Sequence, residues 1–83
     1  MKIWILRPIE GTMLDPWEPW YDKAFGFVVR AETEADARRL AGEQAGDEES
    51  KNLNPWTDDD YSTCVELTAE GKAEVVIQDF QAA

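Results

Sequence analysis

The sequence predicts an α+β domain: a small antiparallel sheet with one helix packed on one face, in the order ββαββ. Three observations carry this. Short β-branched and aromatic runs bounded by breakers recur at both ends of the chain. One helical stretch with a start signal and a small-residue face lies between them. The 83 residues leave room for one domain, 1–83, and no second core.

Lys2-Ile3-Trp4-Ile5-Leu6-Arg7 reads as the first strand, stopped by Pro8. Its four central residues are all apolar, so both faces must be covered, and one helix covers only one. Residues 8–22 follow as a long loop broken by Gly11, Pro16 and Pro19. That loop holds Trp17, Trp20 and Tyr21, which solvated loops normally lack. The rings are expected to fold back over the first strand; the competing reading makes them a binding surface.

Ala24 to Ala31 reads as the second strand, with Phe25, Phe27 and Val29 on one face. Gly26 marks a bulge or a place where a ring crosses the backbone. Thr33 is a good N-cap, Glu34 lies in the first turn, and Asp36 takes the place of the usual Glu or Gln of a capping box. Ala37, Leu40, Ala41 and Ala45 share one face, Arg38 and Arg39 point away, and Gly46 ends the helix. Small residues on the buried face predict a helix lying close to the sheet.

Residues 47–60 form the second loop. Tyr61 to Leu67 fits two patterns. Thr63, Val65 and Leu67 alternate as in a strand, whereas Tyr61, Cys64, Val65 and Thr68 fit a helical face. The strand is preferred, because Thr68 to Lys72 then makes a Gly-containing hairpin turn into a last strand, Ala73 to Phe80. Cys64 is expected to be buried under either pattern.

Composition removes most chemistry. With 18 Asp plus Glu against 8 Lys plus Arg, the net charge is −10, which opposes direct contact with nucleic acid or an anionic membrane. There is no His and one Cys, so a His proton shuttle, a Cys/His zinc centre and an internal disulfide are excluded. Asp58, Asp60 and Ser62 have the spacing that opens an EF-hand, but Thr63 stands where Gly is needed and Ala69 where the bidentate Glu belongs. No glycine-rich phosphate loop is present. No cofactor or metal is expected. Cys64 lacks a His partner, and general acid–base and nucleophilic sites need positioned partners, so an enzyme is the last reading. The apolar run Ile3 to Leu6 is shorter than a signal peptide or a membrane helix requires, which points to the cytoplasm.

What remains is the acidic surface. Residues 43–60 hold seven acids and one base. Asp47-Glu48-Glu49 and Asp58-Asp59-Asp60 flank Pro55-Trp56, which combines an aromatic anchor with electrostatic steering. Asp47, Glu48, Glu49, Trp56, Asp58, Asp59 and Asp60 are therefore the candidate partner-binding residues. Duplex DNA carries about one charge per 1.7 Å of axis, and a dense row of carboxylates can occupy the basic groove that phosphates would. The expected partner is a basic protein surface. The alternatives are an adaptor or accessory protein that binds through Trp17, Trp20 and Tyr21, and a domain whose charge serves solubility alone.

The segments WILRP, AFGFVVRAETEADARRLA, STCVELTAEG and VVIQDF resemble a group of small bacterial and phage proteins to which no activity is assigned. In size, acidity and strand–helix–strand layout the chain is also similar to phage anti-CRISPR proteins. That likeness is one of type, and it implies an inhibitor that occupies the DNA-binding surface of a Cas or other defence complex. No site residue is carried over from it.

Overall fold

The computed structural model describes residues 1–9, 26–45 and 54–78. It contains β1 (Lys2–Pro8), β2 (Phe27–Ala31), α1 (Glu34–Gln44) and β3 (Ser62–Glu66). The expected α+β architecture is present: a three-stranded antiparallel sheet, ordered β2-β1-β3, with α1 packed on it.

β1 is central because it is the most apolar strand and both of its edges are paired. The register sets Trp4 opposite Val29 and Glu66, and Leu6 opposite Phe27 and Cys64. Strand alternation then turns Trp4 and Leu6 toward the helix and Ile3, Ile5 and Arg7 toward the other face. The core on the helix side is Leu6, Ala31, Ala37, Ala41 and Trp56. Phe27 meets Trp56 edge to face, with ring centroids 4.9 Å apart and planes at 85°. That geometry sets the positive ring edge against the negative ring face. Trp4 is half-buried and satisfies its indole by donating to the Ala31 carbonyl at 3.1 Å.

The helix begins as its sequence dictates. Thr33 is extended, and its hydroxyl accepts from the Asp36 amide at 3.2 Å, filling one of the orphan donors of the first turn. Ala37 and Ala41 are buried against the sheet. Arg39 points out and pairs with Glu43 at 3.0 Å. Arg38 does not point out: it is buried, for reasons given with the site below.

Residues 61–67 adopt the strand pattern, as β3. Cys64 on that strand is half-buried rather than fully enclosed, because β3 is an edge of the sheet. The second strand begins at Phe27, later than expected, and Gly26 precedes it. A Cβ at Gly26 would stand 3.2 Å from Ile77 Cδ1 and 3.2 Å from the Leu6 carbonyl oxygen. Gly26 thus sits in close approach to both the Ile77 side chain and the Leu6 backbone, and a larger residue would have to push one of them aside.

The expected last strand is absent over residues 73–78, so the order among the described residues is ββαβ. The turn before it does contain a strained backbone position, Gly71 at φ 137°, which favours glycine. Beyond that turn the chain crosses the sheet face opposite α1. Val76 shares a groove of about 330 Å³ with Ile5 and Arg7, and Ile77 reaches Gly26. Ile5, directed away from the helix, is only 3% exposed. Residues 73–78 thus lie on the face that holds Ile5 and do not extend the ladder at the β3 edge. The aromatic loop with Trp17, Trp20 and Tyr21, the strand start at Ala24 and Phe25, and the helix end at Gly46 lie outside the described residues.

Candidate acidic interface

Asn54 to Tyr61 forms a run of tight turns between α1 and β3. The Thr57 amide and hydroxyl both donate to the Asn54 carbonyl, at 3.1 and 3.0 Å. The Asp58 carbonyl accepts from the Tyr61 and Ser62 amides, at 3.0 and 3.2 Å. The Asp58 carboxylate accepts from the Asp60 amide at 2.9 Å, an Asx turn that sets the path of the three aspartates.

This turn is fixed from below. Pro55 and Trp56 are fully buried. The Ser62 hydroxyl, also fully buried, donates to the Pro55 carbonyl at 2.7 Å. The Arg38 guanidinium joins the elements. Nη1 donates to the Trp56 carbonyl at 3.0 Å and to Ser62 Oγ at 2.8 Å. Nη2 donates to the Ser62 carbonyl at 3.1 Å, and Nε to Glu34 Oε2 at 2.9 Å. A planar fork with five donors can hold three elements at once, which a lysine cannot. A buried charge is tolerated here because it is paired and hydrogen-bonded.

The resulting surface is acidic. Asp58 is half-buried, whereas Asp59 and Asp60 are exposed. Carboxylate oxygens from the three lie within 4.8 Å of one another. None of the three forms an ion pair among the described residues. A shallow groove of about 900 Å³ runs beside them, between the helix start and the turn. Glu34, Asn54, Thr57, Asp58 and Asp59 line it, with Arg38 beneath. Such a surface attracts cationic groups. Ser62 beneath it is sealed in the core, and its hydroxyl is committed to Pro55 and Arg38.

Four of the seven candidate residues fall within the described chain. Asp58, Asp59 and Asp60 are brought together as one patch. Trp56 is corrected: it is 0% exposed, a core residue beneath the patch and not an anchor offered to a partner. A ring this large contributes more in a core whose other buried members on the helix side, among the described residues, are Leu6 and three alanines than it would at the surface. Asp47, Glu48 and Glu49 lie outside the described residues. Sequence reasoning missed Arg38 and Glu34. Their spacing of four along a helix was the available signal, since it pairs the two side chains on one face.

No helix among the described residues is long and apolar enough to cross a membrane. No protein-family model, curated protein or solved structure matches the chain.

Proposed function

We propose that the protein is a non-enzymatic binding protein of the cytoplasm. Its acidic turn occupies a basic, nucleic-acid-binding surface on a partner protein, as an anti-CRISPR or other anti-defence inhibitor would. One observation carries this reading: Asp58, Asp59 and Asp60 stand on a turn that is hydrogen-bonded within itself and tied to the core through Trp56, Ser62 and Arg38. A preorganised patch loses little conformational freedom on binding, so more of its interaction energy is left as affinity. The three charges lie closer together than the Debye length of about 8 Å at physiological salt. A partner therefore meets them as one field, much as it meets neighbouring phosphates. The net charge of −10 extends that field over the molecule and steers basic partners toward it.

The test is capture from a bacterial lysate on the immobilised chain, at low and at high salt, followed by a wash with short duplex DNA. The reading expects a basic protein that is retained at low salt, released at high salt and displaced by the duplex. Retention that is indifferent to both salt and DNA overturns charge mimicry and favours the aromatic-loop adaptor.

A further inference from the structure

The sheet face opposite α1 has the reverse chemistry of the acidic turn. Cross-strand pairing lays Val28, Ile5 and Val65 in one row across all three strands. Ile3 lies two residues from Ile5 on the same side. Val28 is 53% exposed, Val65 58% and Ile3 38%. Ile5, the middle of the row, is itself 3% exposed, so the exposed apolar area lies on either side of it, at Val28 with Ile3 and at Val65.

Two arginines bracket the row. Arg30 is paired with Ile3, so it shares that face. Arg7 is paired with Thr63, on the far side of Ile5. Both are exposed, and neither forms an ion pair among the described residues. In a chain with a large excess of carboxylates, two unpaired cations at either end of an apolar row make a distinct patch.

The face already carries one extended segment of matching chemistry. Glu74-Val75-Val76-Ile77, an acid followed by three apolar residues, crosses part of it without forming a strand. Glu74 and Val76 line one groove with Ile5 and Arg7. Ile77 touches down at Gly26. On the other side, Val28 is 53% exposed and Arg30 is exposed, and none of the described residues 74–77 is placed against them.

We propose that this face docks an extended, acidic polypeptide segment of a partner protein, with an apolar residue seated between two carboxylates. The spacing follows from the sheet. The rows of Arg30 and Arg7 are four residues apart along β1, which is about 14 Å at the rise of an antiparallel strand. An extended segment spans that distance between carboxylates at positions i and i+4. Its residue i+2 points the same way and meets Val28 and Ile3. This surface is separate from the acidic turn and takes a partner of opposite charge.

The experiment is an NMR titration of the full ¹⁵N-labelled chain with the blocked peptide Glu-Thr-Val-Thr-Glu, and with Lys-Thr-Val-Thr-Lys as control. The proposal expects the acidic peptide to shift the amide signals of Ile3, Val28, Arg30 and Val65. The double variant R7E/R30E should weaken that binding by about tenfold or more, because it replaces attraction by like-charge repulsion. Val28→Asp should weaken it through the apolar contact. Both arginines are exposed, so the first variant should fold as the parent does. No shift at this face, or shifts undiminished in R7E/R30E, overturns the proposal. So does stronger binding of the lysine peptide at this face. Line broadening that grows with protein concentration in the absence of peptide would make a second copy the occupant. Contacts between the Val28 or Val65 methyls and a Trp17 or Trp20 ring in the peptide-free chain would give the face to residues 10–25. Either result overturns the assignment to a partner.

Discussion

Arg38 donates to the Ser62 hydroxyl at 2.8 Å inside the protein, across 24 residues of sequence. The same guanidinium also holds the Trp56 and Ser62 carbonyls, so one side chain closes three elements around the acidic turn. Its removal takes the Nη2 donor from the Ser62 carbonyl and the shorter of two donors from the Trp56 carbonyl, at about 1–3 kcal/mol for a buried group left unsatisfied. Arg38→Ala is therefore expected to cost about 3 kcal/mol or more, measured by urea unfolding followed by circular dichroism. Arg38→Lys keeps the charge but not the fork, and should recover less than half of that loss. Ser62→Ala removes both a donor and an acceptor. A double-mutant cycle between the two sites should show coupling of at least about 0.5 kcal/mol. Strict additivity would mean that the two side chains do not act as one device.

Thr33→Ala tests the helix start. The hydroxyl accepts from the Asp36 amide, and its loss should cost about 1 kcal/mol. Thr33→Asp should restore most of that, since a carboxylate caps the same amide and favours the positive helix end. Unchanged unfolding midpoints in both variants would place the helix start elsewhere.

Trp56→Ala should be the most damaging single apolar change, at about 3–5 kcal/mol, since the ring is fully buried and meets Phe27 edge to face. Trp56→Phe should retain part of the contact. The same burial predicts that Trp56 is poorly quenched by acrylamide in the native chain. A quenching constant that does not change when Trp56 is replaced by Phe would contradict its place in the core.

Much of the helix and of β1 was legible in the sequence, because both depend on local signals. Thr33 caps through a bond three residues long, and the apolar period of β1 shows in its own residues. Arg38 was not legible. Helical spacing alone would turn its side chain toward solvent, paired with Glu34, yet its buried partners lie 18 and 24 residues away, beyond any periodic pattern. Trp56 failed for the same reason: acids on either side of an aromatic suggest a surface, and only the fold shows the ring turned inward. Val75-Val76-Ile77 has strand composition, but composition does not reveal that Ile5 needs cover on the face away from the helix. The aspartates were legible as a cluster, while the turn that aligns them depends on Trp56 and Ser62 below.

Cys64 gives a pH-dependent test. Burial pushes its thiol above the ordinary value of 9.0, Arg38 acts to lower it, and Glu34 acts to raise it. A thiol with a raised folded-state pKa binds its proton more tightly when folded than when unfolded. Its contribution to stability is thus fully present below pH 9 and is lost as the pH climbs from there through the raised folded-state value. Cys64→Ala should flatten that part of the stability–pH curve relative to the parent. The half-buried position also predicts that thiol labelling at neutral pH is slower in native than in denatured protein, without being blocked. Equal native and denatured rates would contradict the partial burial on β3.

The acidic turn is tested by matched charge reversals. Asp59 and Asp60 are exposed, and the fold does not use their carboxylates, whereas Asp58 braces the turn through the Asp60 amide. The variant D59K/D60K should therefore fold normally, and Asp58 is left in place. The control is E70K/E74K, at two exposed acids after β3 that change the net charge equally. Rim charges act mainly on association, so D59K/D60K should slow the on-rate for a basic partner by about tenfold or more at low salt. The difference between the two variants should shrink as salt rises and the Debye length falls from about 10 Å at 0.1 M to 3 Å at 1 M. Surface plasmon resonance against the protein captured from lysate gives the rates. Equal losses in both variants would mean that total charge alone governs binding and that the turn is no specific site. A normal on-rate in D59K/D60K would remove the turn from the interface.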